Sequence, residues 1–488
     1  MNFSLTLQQK MTQYTSSRTN VLALYQLFCY YKLQSTLKQG VSNLNSSLKT
    51  SPIHKLLIKY CVPAIISMMV ASLYNTVDRI FIGNIPNIGS LALTSLGTVM
   101  PFITIILACE LLITYGAIAN LSLKLGEKNQ EMAKKFLNQV PGLGLLISVL
   151  LMVLFSLLKT PLLQLFGATK ETLGLATDYL DIMIIGIPFY IIGFSLMATI
   201  RSEGSPKRAA LILIMSCLIN IILDPIFIFI FNLGIKGAAI ATVVSYLFVF
   251  IYVFYYYTIG KSNLKLTKQA FKLNFSISRL IIIFGLSTAL VQLIGAVIQI
   301  LFNRSLIYYG DLLSIGAFTT ITTITNLVLM PVIGINQGSV PIIGYNYGQK
   351  DYNRVKITFM QGTLAATILF TVGFIVIYLI PDTLIKFFNS DQSLLLATTD
   401  GLKLYLFSLP LCALTITAPN YFQSVGKSRL SIWLVILRQI ILLIPLLLIL
   451  PKFLGLNGVW LAQPITDLII AIISFYLIRK EFKQHPSI

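Results

Sequence analysis

Apolar and polar positions along this chain are segregated into long blocks. Predominantly apolar stretches recur twelve times, at about 60–83, 93–123, 138–158, 174–199, 209–231, 238–258, 280–308, 314–346, 357–380, 396–422, 430–450 and 456–478. A helix needs about 20 such residues to cross a bilayer, so the pattern predicts an all-α polytopic membrane protein with twelve transmembrane helices. The stretches 93–123 and 314–346 exceed a minimal span and are expected to tilt or to run past the bilayer. The apolar stretch 21–33 is too short to span; it reads as an interfacial helix, an uncleaved targeting-like segment or the product of a start codon chosen too far upstream.

Composition narrows the class. Of 488 residues, 56% are hydrophobic and 11% charged, whereas a soluble chain carries about 25% charged residues. A soluble multi-domain enzyme is excluded, and so is disorder. The 36 Lys+Arg outnumber 16 Asp+Glu and give a net charge of +20. That excess would suit nucleic acid only if it clustered on a water-exposed domain. Instead it falls in alternate loops: 27 of the 36 bases lie on the side of the N-terminus and five on the other. The positive-inside rule then puts both termini in the cytoplasm, as twelve spans require. The expected location is the cell membrane, among lipids, with no nucleic-acid partner. The scattered cysteines form no CxxC, and two histidines make a transition-metal site unsupported. No GxxxxGK[ST], TVGYG-like filter or HExxH occurs, so nothing points to an ATP motor, a potassium channel or a zinc protease, and no enzyme or cofactor is expected.

An internal repeat organises the spans. Residues 115–134 align with 337–356, and 203–208 with 425–430, both at an offset of 222; 233–241 align with 454–462 at 221. The halves are two pseudo-symmetric six-helix bundles, a basic tail 1–52 preceding a first lobe 53–258. A cytoplasmic linker 259–279, a second lobe 280–478 and a tail 479–488 follow. Two such bundles around a shared site are a transporter architecture.

Intramembrane charges are functional candidates by default, since each costs about 2.5–3.5 kcal/mol on insertion scales. Asp78 in the first span and Asp224 in the fifth lie about 27 and 22 Å from the basic ends of their helices, at 1.5 Å per residue. Asn220 is one turn from Asp224, and Thr242 enters from the far side of the sixth span. Two carboxylates, an amide oxygen and a hydroxyl suit a hard cation such as Na+ or a shared proton. The repeat places Ile300, with the polar Asn303 three residues on, opposite Asp78, Leu446 opposite Asp224, and Gln463 opposite Thr242. The second bundle therefore lacks the acid pair, which favours a coupling site confined to the first. Further candidates for a substrate cavity are Glu110, Asn303, Gln337, Arg438 and Asp467; Glu110 has no obvious partner and either lines the cavity or is protonated against a neighbouring hydroxyl. The last Arg and Asp sit at comparable depths and read as an interhelical ion pair or a second-bundle site. Pro63, Pro101, Pro188, Pro225, Pro331, Pro410, Pro445 and Pro464 interrupt spans or sit near their ends, where each permits a bend.

With these residues assembled, the chain resembles the multidrug and toxic compound extrusion (MATE) family, in its bacterial DinF/MepA-like branch. The resembling segments are YNTVDRIFIGN (74–84), IRSEGSPKRA (200–209), NIILDPIFIF (220–229), GIKGAAIATVVS (234–245), GINQGSVPIIGYNYGQKDYNRVK (334–356) and GLNGVWLAQPITDL (455–468). The resemblance implies the MATE fold, a cleft between two lobes that opens alternately to either side, and export of drugs or organic cations by a monomer in exchange for H+ or Na+. It also implies that Asp78, Asn220, Asp224 and Thr242 are the coupling residues. Alternatives within the same architecture are a lipid-linked saccharide flippase, whose lumen would be lined with arginines, and a membrane receptor or scaffold that moves no solute.

Overall fold

The apolar blocks are α-helices, because a chain in hydrocarbon must satisfy every backbone N–H and C=O internally. A computed structural model of the protein describes residues 48–260, 262–310, 312–386 and 392–484. The tail with its apolar stretch 21–33 and the last four residues lie outside the described residues. Pro52 onward forms one compact unit.

The first half comprises α1 (Ile53–Gly83), α2 (Gly89–Gly126), α3 (Gln130–Leu165), α4 (Leu173–Ser202), α5 (Pro206–Ile230) and α6 (Ile235–Thr258). The second comprises α7 (Phe275–Tyr309), α8 (Gly316–Gly348), α9 (Tyr352–Leu379), the bent α10 (Thr398–Tyr405 and Leu409–Ser424), α11 (Ser428–Leu454) and α12 (Leu456–Gln484). Eleven of these are long and apolar enough to cross a membrane singly, and α10 makes twelve when counted as one bent span. The stretch expected at 396–422 is thus a helix broken by 49°. Its second piece starts at Leu409 with Pro410 in the first turn, where the missing N–H costs nothing but the preceding residues cannot stay helical. Several helices also outrun the apolar blocks. The Asn129 side chain accepts the Met132 N–H (3.0 Å) to start α3, and that of Asn274 accepts the Ile277 N–H (3.2 Å) to start α7. Such caps extend helices into polar sequence, so the linker expected at 259–279 shortens by five residues.

The repeat is written into the backbone. Lys128 and Lys350, 222 residues apart, both adopt left-handed φ (59° and 61°), as do Gly204 and Gly426 (81° and 84°). In each half the left-handed lysine precedes an N-cap, Asn129 or Asp351, whose side chain accepts an N–H three residues on. Both fifth helices contain a π-helical turn, Ile226–Ile230 directly after Pro225 and Leu437–Leu443 around Arg438. Such turns expose carbonyls and recur at functional sites.

Glu203, at the turn after α4, is buried and straps down the inter-half linker. Its carboxylate accepts from Ser262 Oγ (2.8 and 2.9 Å), Tyr256 Oη (3.0 Å) and the Leu264 N–H (3.1 Å). Burial pushes this carboxyl up from 4.5 to about 7 against those hydrogen bonds. A group with its folded pKa raised contributes stability at low pH that is lost as pH rises toward the folded value. Thermal stability of the purified protein is therefore expected to fall between about pH 4.5 and 7, and Glu203→Gln should flatten that slope. An unchanged slope in the variant would remove Glu203 as its source.

The halves meet most closely at the end bearing the basic loops. A Cβ on Gly116 (α2) would run into the Ile281 carbonyl of α7, and one on Gly285 (α7) into the Leu112 carbonyl of α2. On the neighbouring contact, a Cβ on Gly338 (α8) would lie 2.8 Å from Cys61 Cα of α1, and one on Gly334 2.7 Å from Ile65 Cα. Small residues let helix backbones approach this closely. Among the described residues, no glycine makes such a cross-half contact at the other end.

Candidate functional site

Between the halves lies a cavity of about 840 Å³ lined by residues of both, in the size range of drug-sized ligand sites. Its floor is an apolar plug of Tyr115, Ile118, Ala198 and, from the second half, Val340. Beside the plug, Arg201 of α4 donates to Gln337 Oε1 of α8 at 2.6 Å, a polar bond joining the halves across the seal.

Of the cavity residues expected from sequence, Glu110, Gln337, Arg438 and Asp467 line it, whereas Asn303 does not. Asn303 is half-buried on α7 next to Phe302, which does line the cavity. Glu110 is buried on α2, and the neighbouring hydroxyl is that of Thr114, one turn on, which donates to its Oε1. Arg438 and Asp467 form an ion pair at 2.8 Å, to which Gln463 Nε2 (3.0 Å) and Cys412 Sγ (3.3 Å) add bonds on the other carboxylate oxygen. Arg201 counted as a loop base in the sequence; the fold buries it on the cavity wall. Nothing in the local pattern RSEGSPKR signals that.

The Arg438–Asp467 pair predicts a stability asymmetry. Removing one partner of a buried pair costs about 3–5 kcal/mol, because the other charge is left unpaired, while replacing both by apolar groups is close to neutral. Arg438→Met is therefore expected to lower the melting temperature strongly, and Arg438→Met with Asp467→Leu to recover most of it. Equal losses in the single and double variants would contradict this.

Behind the cavity wall, in the first half, α1, α5 and α6 bring Asp78, Asn220, Asp224 and Thr242 together, none of them on the cavity surface. All four are buried. Asn220 Nδ2 donates to Asp224 Oδ1 and to Thr242 Oγ1, both at 3.3 Å. The Asp78 and Asp224 carboxyls face one another within interaction range. Asp78 Oδ1, Asn220 Oδ1 and Asp224 Oδ2 are each buried without a hydrogen-bond partner. Two facing carboxylates in low dielectric cannot both keep their charge without a proton or cation between them. The three orphan oxygens, two on these carboxylates and one on Asn220, form a hard-cation donor set of the kind sodium accepts. Sequence grouped these four by depth, by the i, i+4 spacing of Asn220 and Asp224 and by family resemblance; the structure adds which of their atoms meet.

The sequence model of the family described as MatE matches residues 63–226 and 287–449, one stretch in each half. The chain belongs to the MatE family. It is a multi-pass membrane transporter and not an enzyme. Multidrug export protein MepA of Staphylococcus aureus (strain bovine RF122 / ET3-1) is 26% identical over 443 residues, covering 90% of this chain and 96% of MepA. MepA of Staphylococcus saprophyticus is 26% identical over 442 residues, covering 88% and 95%. Among solved structures, the MATE multidrug transporter DinF-BH, solved as a ligand complex, is 35% identical with a TM-score of 0.82, covering 89% of this chain and 97% of DinF-BH. A MATE transporter in the bent conformation superposes with a TM-score of 0.83 at 23% identity, covering 91% and 98%, and supports the fold alone.

Proposed function

We propose that this MatE-family transporter exports drugs and organic cations by alternating access, in exchange for H+ or Na+ bound at Asp78, Asn220, Asp224 and Thr242. One observation carries this reading: two buried carboxylates face each other behind the cavity wall, with three orphan oxygens among them and their neighbours, in the first half only. In the state described, the halves are sealed at the basic-loop end, which we assign to the cytoplasm together with both termini. The cleft then faces outward. A proton or Na+ entering from that side neutralises the acid pair. Helix α1, which carries Asp78 and also packs on α8 through Cys61 and Ile65, repacks, and the cavity releases its substrate. Loss of the seal exposes the cavity to the cytoplasm, where the cation leaves and the next substrate enters. The cavity lies wholly within one chain, which supports action as a monomer. Exposed apolar side chains such as Leu157 and Leu165 face the lipid.

The cavity lining argues against a saccharide flippase. Among the described residues it contains two arginines and no lysine, one arginine neutralised by Asp467 and the other bonded to Gln337, so these residues offer no basic rail to a polyanionic substrate. The deciding experiment is dye flux in proteoliposomes with pH and Na+ gradients imposed separately. Flux driven by one of them is the expected result; absence of flux under either would sink the reading and favour a receptor or scaffold.

A further inference from the structure

The seal at the basic-loop end is built from positions that the repeat pairs, but its charges lie in one half. At the offset of 222, Tyr115 corresponds to Gln337, Gly116 to Gly338 and Ile118 to Val340, and all six stand where the halves meet. Arg201 corresponds to Gln423 and Glu110 to Val332, so the acid and the base have neutral counterparts. Gln423 is tied within its own half: it donates to the Phe284 carbonyl and accepts from Thr288 Oγ1 (3.2 Å), both on α7. Arg201 instead reaches across, its Nη1 donating to Gln337 Oε1 at 2.6 Å. The Gln337 side chain also hydrogen-bonds with Tyr115 of α2 and donates to Met68 Sδ of α1 at 3.6 Å. One amide on α8 thus engages α1, α2 and α4 of the other half.

Arg201 and Glu110 are both buried and interact electrostatically. Among the described residues, however, they form no direct ion pair in this state. A buried guanidinium is costly unless partners take up its charge and donors. While the halves are sealed, the neutral Gln337 oxygen accepts from it. When they part, Gln337 leaves with α8. Glu110 stays, because α2 and α4 belong to one half and are tied by Thr114 Oγ1 to Ser195 Oγ at 3.1 Å.

Resting on the alternating-access reading above, we propose that Arg201 is a positioning residue that latches the gate at the basic-loop end. Its guanidinium bonds Gln337 when the gate is shut and pairs with Glu110 when it is open. Gln337 therefore stabilises the shut state and Glu110 the open one. Opening is read from maleimide labelling of Cys61, which lies between α1 and α8 in the seal, in the purified full chain with its other cysteines replaced. Gln337→Leu is expected to speed labelling about threefold or more, the ratio that ~0.6 kcal/mol produces. Adding Glu110→Gln should return the rate to within about twofold of the parent's, whereas two losses of packing would add. With Arg201→Gln present, neither change should alter the rate by more than about 1.5-fold. Gln337→Glu places an acid opposite Arg201 and should hold the gate shut, with dye flux down about tenfold and labelling as slow as the parent's; it keeps the latch testable should Gln337→Leu fail to fold. Unaltered or slower labelling in a folded Gln337→Leu variant, no reversal on adding Glu110→Gln, effects that persist without Arg201, or full flux in Gln337→Glu would overturn the latch. Wild-type protein that moves no dye under either gradient would instead overturn the export reading, and the labelling rates would still decide the latch.

Discussion

Asp224→Asn is expected to lose gradient-driven efflux by about tenfold or more while the protein stays folded. An amide keeps the size of the side chain and its oxygen can still accept from Asn220 Nδ2, so the contacts between α5 and α6 survive. What is lost is the second negative charge opposite Asp78 and with it the site's need for a proton or cation. Since burying an ionised carboxylate is costly, the variant should melt at the wild-type temperature or above it. Dye binding in the cavity should change by less than about threefold, because Asp224 is not on the cavity surface, and a threefold change is worth only ~0.6 kcal/mol. The measurements are flux in proteoliposomes, dye affinity and thermal melting on the same preparation. Near-normal flux driven by the wild-type gradient in a well-folded Asp224→Asn protein would remove Asp224 from coupling. Asp78→Asn should behave alike.

Gly116→Val is expected to break the seal between the halves. The added side chain meets the Ile281 carbonyl, a backbone atom that cannot rotate away, and Gly285→Val meets the Leu112 carbonyl in the reciprocal contact. Overpacking of this kind costs about 1–3 kcal/mol, which moves a two-state equilibrium by a factor of about 5 to 150. Cys61 reports the result, being buried between α1 and α8 with its Sγ 3.5 Å from the Ile335 carbonyl oxygen. In a background with the other cysteines replaced, maleimide labelling of Cys61 should be slow in the otherwise wild-type protein and at least tenfold faster with Gly116→Val, and flux should fall with it. Labelling as slow as the parent's would mean that this contact does not hold the seal.

Much of the fold was legible before any coordinates. Hydropathy gave the spans, since a helix in lipid has no other solution, and the repeat aligned Lys128 with Lys350 and Gly204 with Gly426, the positions that the structure then shows to form matched turns. Hydropathy could not register the break in α10, because Leu406, Phe407 and Leu409 are as apolar as their neighbours and only Pro410 hints at it. Nor could it locate helix ends, which depend on caps such as Asn129 and Asn274.

The site divides in the same way. Intramembrane acids are rare enough that Asp78, Asp224, Glu110 and Asp467 could be singled out by their cost alone, and one-turn spacing joined Asn220 to Asp224. Sequence therefore determined which residues carry chemistry in the membrane. Which of them meet was decided by tertiary packing: it paired Asp467 with Arg438, left Asn303 off the cavity surface, brought Arg201 from a loop motif to Gln337, and left Glu110 on the cavity wall bonded to Thr114. The physical reason is one of range. Transfer cost and helical period are properties of a residue and its neighbours within a turn, whereas neutralising a charge depends on groups that helix packing delivers from distant parts of the chain.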